Sequence, residues 1–190
     1  MKQSSITSFF QKNTLSNKIK ISTIQIKTPN IQVTPYRIQI PTKYTLFFDG
    51  CSKGNPGPSG AGAVLYEGNT EIWAKSIFVG NNSTNNVAEY TGLIIGLHQA
   101  VNKNIKQLTV KGDSMLVIKQ MKGEYKVNSK DMQRLYENAK DFEKCFDKIL
   151  YEHVYRNHNV RADQLSNEGL IVQNTENNTE TIQKIDSNNN

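Results

Sequence analysis

Tyr44-Thr-Leu-Phe-Phe-Asp49-Gly-Cys-Ser-Lys-Gly54-Asn-Pro-Gly57-Pro-Ser-Gly60 is the stretch on which the reading of this 190-residue chain turns. A run of β-formers ends on a carboxylate, and the eleven residues after it hold four glycines and two prolines, the composition of a tight loop that exposes its backbone. A single acid at a strand end is a common surface residue. Its meaning depends on whether acids from distant parts of the chain are carried to the same place.

Working outward, the first strand is expected over 43–49, a second over 61–66 and a third over 70–79, joined by a turn at Gly68-Asn69 into an antiparallel meander. The polar cluster Asn81 to Asn86 supplies helix-capping chemistry ahead of a helix over 86–102, whose apolar stripe is Val87, Tyr90, Leu93, Ile94, Leu97 and Val101. A fourth strand over 106–112 again ends on an acid, Asp113, and a short helix over 114–122 stops at Gly123. A longer amphipathic helix over 129–145, a fifth strand over 148–155 and a helix opening near Asn159 complete the pattern. Three strands followed by alternating helices and strands describe an α/β fold: a mixed sheet with helices on its faces. Asp49 and Asp113 close strands, whereas Glu89 and Asp163 lie in the first turns of helices, so four elements can deliver carboxylates to one sheet edge.

Composition bounds the rest. Hydrophobic residues make up 36% of the chain and the net charge is +6, which favours a polyanionic partner. The excess is local: residues 1–42 hold six Lys/Arg and no acid. We read 1–13 as a docking motif, 14–42 as a flexible basic linker, 43–170 as the folded domain and 171–190 as a disordered Asn-rich tail. Cys51 and Cys145 have no metal-ligand spacing, so neither a zinc site nor a disulfide framework is expected and a reducing, intracellular setting is the simpler one. No apolar run reaches the length of a membrane span, and a soluble monomer is expected.

Clustering Asp49, Glu89, Asp113 and Asp163 without cations would be costly, since each like charge raises the pKa of its neighbours. Carboxylates without His or Cys suit Mg²⁺, with Mn²⁺ as a substitute. Two such ions about 3.5–4 Å apart favour in-line phosphoryl displacement, so phosphodiester hydrolysis is the expected reaction class.

Four blocks, FDGCSKGNPGPSGAGAVL, TNNVAEYTGLIIGL, VKGDSMLVIKQMKGEYKV and NVRADQLSNEG, resemble the signature blocks of ribonuclease H in its compact plant- and archaeal-like form, in order across 43–170. The resemblance implies the ribonuclease H-like fold, a five-stranded mixed sheet with helices on both faces. It also implies an enzyme that hydrolyses the RNA strand of RNA–DNA hybrids, leaving 5′-phosphate and 3′-hydroxyl ends. By position, Asp49 would bridge two ions, Glu89 and Asp113 would complete one, and Asp163 the other. Gly50, Cys51 and Ser52 would meet the RNA through their backbone, helped by Asn55, Asn85 and Asn86, and Thr84 would hold a DNA phosphate. Three departures stand out. Met115 follows Asp-Ser where many relatives carry a polar group. The basic insertion of bacterial forms is absent, leaving Lys119, Lys122, Lys126 and Lys130. His158 does not match convincingly the loop histidine that assists turnover in bacterial relatives.

The amino terminus has its own signal. Gln3-Ser-Ser-Ile6-Thr-Ser-Phe9-Phe10 resembles the motif by which replication and repair proteins dock on the sliding clamp (PCNA). Ile6, Phe9 and Phe10 would fill an apolar pocket while Gln3 hydrogen-bonds beside it. That implies work at replicating DNA, in a nucleus or another replication site. Two rivals from other classes are a hybrid-binding module without catalysis and a related nuclease acting on DNA.

Overall fold

The structure is a computed structural model and describes residues 42–171. The strands are β1 (Tyr44–Ser52), β2 (Gly57–Glu67), β3 (Thr70–Ser83), β4 (Gln107–Gly112) and β5 (Lys148–His153). The helices are α1 (Asn85–Asn102), α2 (Met115–Met121), α3 (Lys130–Glu143) and α4 over 160–171, preceded by a 3-10 turn at Arg156–His158. The strands form one sheet in the order β3-β2-β1-β4-β5. β1, β2 and β3 pair antiparallel, while β1 with β4 and β4 with β5 pair parallel. This is the expected mixed sheet with an antiparallel meander.

Side chains of a strand alternate between faces, and β1 and β2 use both. Leu46, Phe48, Ala63 and Leu65 join Leu108 and Val110 against Tyr90, Leu93 and Leu97 of α1, with α2 and α3 closing the same core. Val64 faces the other way onto Ala162 and Leu165 of α4, flanked by Phe47 and Tyr66. The first core is the larger source of stability: removing fully buried Phe48 by Phe48→Ala would cost about 3–5 kcal/mol. A buried hydrogen bond from Tyr90 Oη to Gln120 Oε1 (2.9 Å), with Gln120 Nε2 donating to the carbonyl of Lys126 (3.1 Å), ties α1 to α2 and the loop beyond.

The glycine-rich opening stretch differs from its expected form. β1 runs three residues past Asp49, and β2 begins at Gly57 rather than 61, so only residues 53–56 form the turn. Ser59 and Gly60 are ladder residues, with Cys51 opposite Gly60 and Ser52 opposite Ser59. The glycines serve close packing. A Cβ on Gly50 would lie 2.1 Å from the backbone N of Glu89, and one on Gly62 would lie 2.5 Å from that of Ser166. Those two contacts seat α1 and α4 on opposite faces of the sheet at the same end. β3 likewise extends to Ser83 rather than 79, because the polar cluster begins as strand. No described helix is long and apolar enough to cross a membrane.

Candidate active site

Parallel pairing of β1 with β4 places Phe47 opposite Lys111, so the strand ends carry Asp49 and Asp113 out side by side. α1 starts over the same edge because Thr84 caps it, its hydroxyl accepting from the N–H of Val87 (3.3 Å). Glu89 then falls one turn in, against Gly50. One carboxylate oxygen from each of Asp49, Glu89 and Asp113 lies within 4.8 Å of the others. They line an open cleft of about 400 Å³ with Gly50, Cys51, Ser52, Lys53, Asn85, Arg156 and Asn167.

The electrostatics of the cluster are those of a site built for a cation. Burial pushes the Asp49 carboxyl up to about 7. The charges of Asp113 and Asp163 add to the rise, while the Ser166 hydroxyl and the Gly50 N–H oppose it. Burial also drives Glu89 well above the carboxylate range, reinforced by Asp49 and Asp113. Glu89 Oε2 is buried without a hydrogen-bond partner, a costly condition for a carboxylate. An all-oxygen, polyanionic donor set with an orphaned buried oxygen fits a hard divalent cation such as Mg²⁺ or Mn²⁺.

Asp163 stands apart from this trio. It lies on the first turns of α4 at the same edge, and its charge is felt at Asp49, but its Oδ1 accepts from the Arg156 guanidinium. Its side chain is 29% exposed. Arg156 lines the cleft, whereas His158, two residues on, lines a separate hollow on the α4 side of the sheet with Phe47 and Lys111.

Two further side chains touch the acids. Asn159, at the start of α4 and 1% exposed, donates from Nδ2 to the Phe48 carbonyl (2.9 Å) and to Asp113 Oδ1 (2.8 Å). It thus links the ends of β1 and β4. Ser166, fully buried, donates to Asp49 Oδ2 (2.6 Å). Sequence reasoning missed Asn159, Ser166 and Arg156. For Ser166 the available signal was its place one helical turn after Asp163, which puts the two on one face of α4.

Among the residues expected to read substrate, Gly50, Cys51, Ser52 and Asn85 line the cleft. Asn55 Oδ1 accepts from the N–H of Asn85 (3.0 Å), and Asn85 Nδ2 lies 3.5 Å from Glu89 Oε1, so the β1–β2 turn, α1 and an acid are connected. Asn86 is exposed and Thr84 is partly buried at the cap. Met115 is 43% exposed at the head of α2. Lys119 lies over the Tyr125 ring (4.7 Å) and Lys122 pairs with Glu124 (2.7 Å). Gln3, Ile6, Phe9 and Phe10 lie outside the described residues, as do the linker apart from Thr42 and the tail apart from Ile171, which ends α4.

A family model described as reverse transcriptase-like matches residues 47–169. A ribonuclease H of Pseudomonas savastanoi pv. phaseolicola is 39% identical over 145 residues, covering 66% of this chain and 91% of that protein. The chain belongs to the ribonuclease H family. A bifunctional protein of Mycobacterium tuberculosis is 42% identical over 129 residues. That match covers 67% of this chain but only 35% of the mycobacterial protein. The N-terminal ribonuclease H domain of that protein, solved as a fusion with maltose-binding protein, matches with a TM-score of 0.68 at 39% identity, over 72% of this chain and 99% of that one. LC11-RNase H1, solved in complex with an RNA/DNA hybrid, matches with a TM-score of 0.64 at 30% identity, over 69% of this chain and 99% of that one. The five-stranded mixed sheet is therefore the ribonuclease H fold.

Proposed function

We propose that this member of the ribonuclease H family is a Mg²⁺-dependent endonuclease that hydrolyses the RNA strand of RNA–DNA hybrids and leaves 5′-phosphate and 3′-hydroxyl ends. The observation that carries the reading is the crowding of Asp49, Glu89 and Asp113, with one oxygen of each within 4.8 Å of the others, beside a Glu89 carboxylate that keeps one buried oxygen unpartnered. Asp49, Glu89 and Asp113 would hold one cation, and Asp163 with Asp49 would hold a second. When bound, such ions neutralise the acids and stabilise the entering and leaving oxygens of an in-line displacement. Mn²⁺ is the expected substitute.

The protein side of the cleft supports hybrid as the substrate. Gly50, Cys51 and Ser52 offer backbone next to Asp49 and Asn85 lines the same cleft; we assign Asn55, Asn85 and Asn86 to the 2′-hydroxyls, whose reading distinguishes RNA from DNA. Thr84 is assigned a DNA phosphate. Because Asn85 reaches from Asn55 to Glu89, substrate contact and acid placement are joined. Cleavage of end-labelled hybrid, double-stranded RNA and double-stranded DNA, each with Mg²⁺ or EDTA, tests the reading. Hybrid alone should be cut, and only with Mg²⁺. Binding without cutting would make the chain a silent hybrid-binding module, and cutting of double-stranded DNA would make it a DNA nuclease.

We further assign primer or hybrid removal at replicating DNA, with Gln3, Ile6, Phe9 and Phe10 docking on PCNA. The support is the complete motif on a basic amino-terminal stretch without a single acid. Phe9→Ala with Phe10→Ala should abolish clamp pull-down and leave cleavage of free hybrid unchanged. Retained pull-down would remove the clamp from this account.

A further inference from the structure

We propose that Ser166 is a positioning residue for Asp49, holding the carboxylate in the orientation in which it receives metal; this rests on the two-cation reading above. The Ser166 hydroxyl lies 2.6 Å from Asp49 Oδ2 and 2.9 Å from the Asp163 carbonyl. It has one proton to give, and the carboxylate is the stronger acceptor. The proton therefore goes to Asp49, and the Asp163 carbonyl is only the competing acceptor for that same proton.

Ser166 is closely packed. It is fully buried, and α4 presses so closely on β2 that Gly62 has no room for a Cβ beside the Ser166 backbone N. The backbone that carries the donor is thus set by packing against β2. A carboxylate offers about four lone-pair sites, so the Ser166 hydroxyl, with the Gly50 N–H, orients Asp49 and still leaves sites for cations. Ser166 also sits on the helix that carries Asp163, three residues earlier. It therefore sets the distance between the proposed shared acid on β1 and the outermost acid on α4. Groups that hold metal ligands in place commonly matter about 10- to 100-fold in metal affinity or activity.

The test is Ser166→Ala in the full chain, with Thr and Val variants as a shape-matched pair that differs in the hydroxyl. Mn²⁺ binding measured by calorimetry should weaken about tenfold in Ser166→Ala. The Mg²⁺ concentration for half-maximal hybrid cleavage should rise by a similar factor, with KM for hybrid at saturating Mg²⁺ unchanged. Ser166→Thr should bind Mn²⁺ better than Ser166→Val even if both melt lower than wild type. Mn²⁺ affinity within twofold of wild type in Ser166→Ala, or equal affinities of the Thr and Val variants, would overturn the role. A wild-type protein that binds Mn²⁺ but cuts no hybrid would sink the proposed activity, and the Mn²⁺ comparison would still decide Ser166. Absence of Mn²⁺ binding by wild type would overturn both.

Discussion

The two ends of the acid row are treated differently by the same fold. At the inner end, Asp49 and Glu89 are 3% and 5% exposed, face no cationic side chain in their described hydrogen bonds, and are pushed up by burial and by neighbouring acids. At the outer end, Asp163 meets solvent and the guanidinium of Arg156. The inner end carries an unmet demand for positive charge, while the outer end supplies its own. Identical side chains acquire opposite needs because one set lies between packed helices and sheet and the other lies on a helix start at the rim.

The largest effect expected from this contrast comes at the inner end. Asp49→Asn removes the acid assigned to both cations and should lower hybrid cleavage by at least about a thousandfold, while hybrid affinity stays within a few-fold by filter binding. Retained hydrolysis would break the contrast, since the inner acids would then not need metal to do chemistry.

A second effect is on stability without metal. A carboxyl whose folded pKa lies above its unfolded one contributes stability that is fully present below the unfolded value, near 4, and lost as pH rises through the folded value, here about 7 for Asp49. In EDTA at pH 8, Asp49→Asn should therefore melt above wild type by about 5 °C, the shift that 1–2 kcal/mol gives in a domain of this size. The difference should vanish near pH 4, where both carry a neutral side chain. Mn²⁺ should raise the wild-type melting temperature more at pH 8 than at pH 5, and a pH-independent increment would place the ion away from these acids.

A third variant sharpens the inner group of acids. Asn159→Ala leaves Asp113 without its buried donor, and a lost charge-assisted hydrogen bond of about 1.5–3 kcal/mol should lower kcat by roughly tenfold or more with little change in hybrid KM. The smallest effect belongs to Arg156→Ala. Freed from its ion pair, Asp163 should accept a cation more readily, and half-saturating Mn²⁺ should fall by about two- to fivefold, in line with the modest worth of exposed pairs. No change would mean that Arg156 does not compete for Asp163.

Much of this was legible in the chain. Asp49 and Asp113 ended strand-like runs, and Glu89 and Asp163 followed helix-start chemistry; two-residue and 3.6-residue periodicities locate such positions without tertiary information. The glycine-rich stretch was misread in part, because a loop composition and a close-packed strand composition look alike until the opposing helix is known. Gly62 is explained by the Ser166 backbone, more than a hundred residues away in the sequence, and no local pattern carries that. Asn159 and Ser166 escaped notice for the same reason: a polar residue near a helix start is ordinary until the group it faces is identified.

The sequence by itself determined which acids exist, which elements bear them and the order in which they arrive, since those follow from local propensity and side-chain periodicity. Only the tertiary structure decided that three of the four gather while the fourth turns to Arg156. It also decided that a serine and an asparagine from α4 hold the inner acids. Distance, burial and hydrogen-bond partner are properties of the packed interface between β1, β4, α1 and α4, where residues remote in the chain share one low-dielectric space.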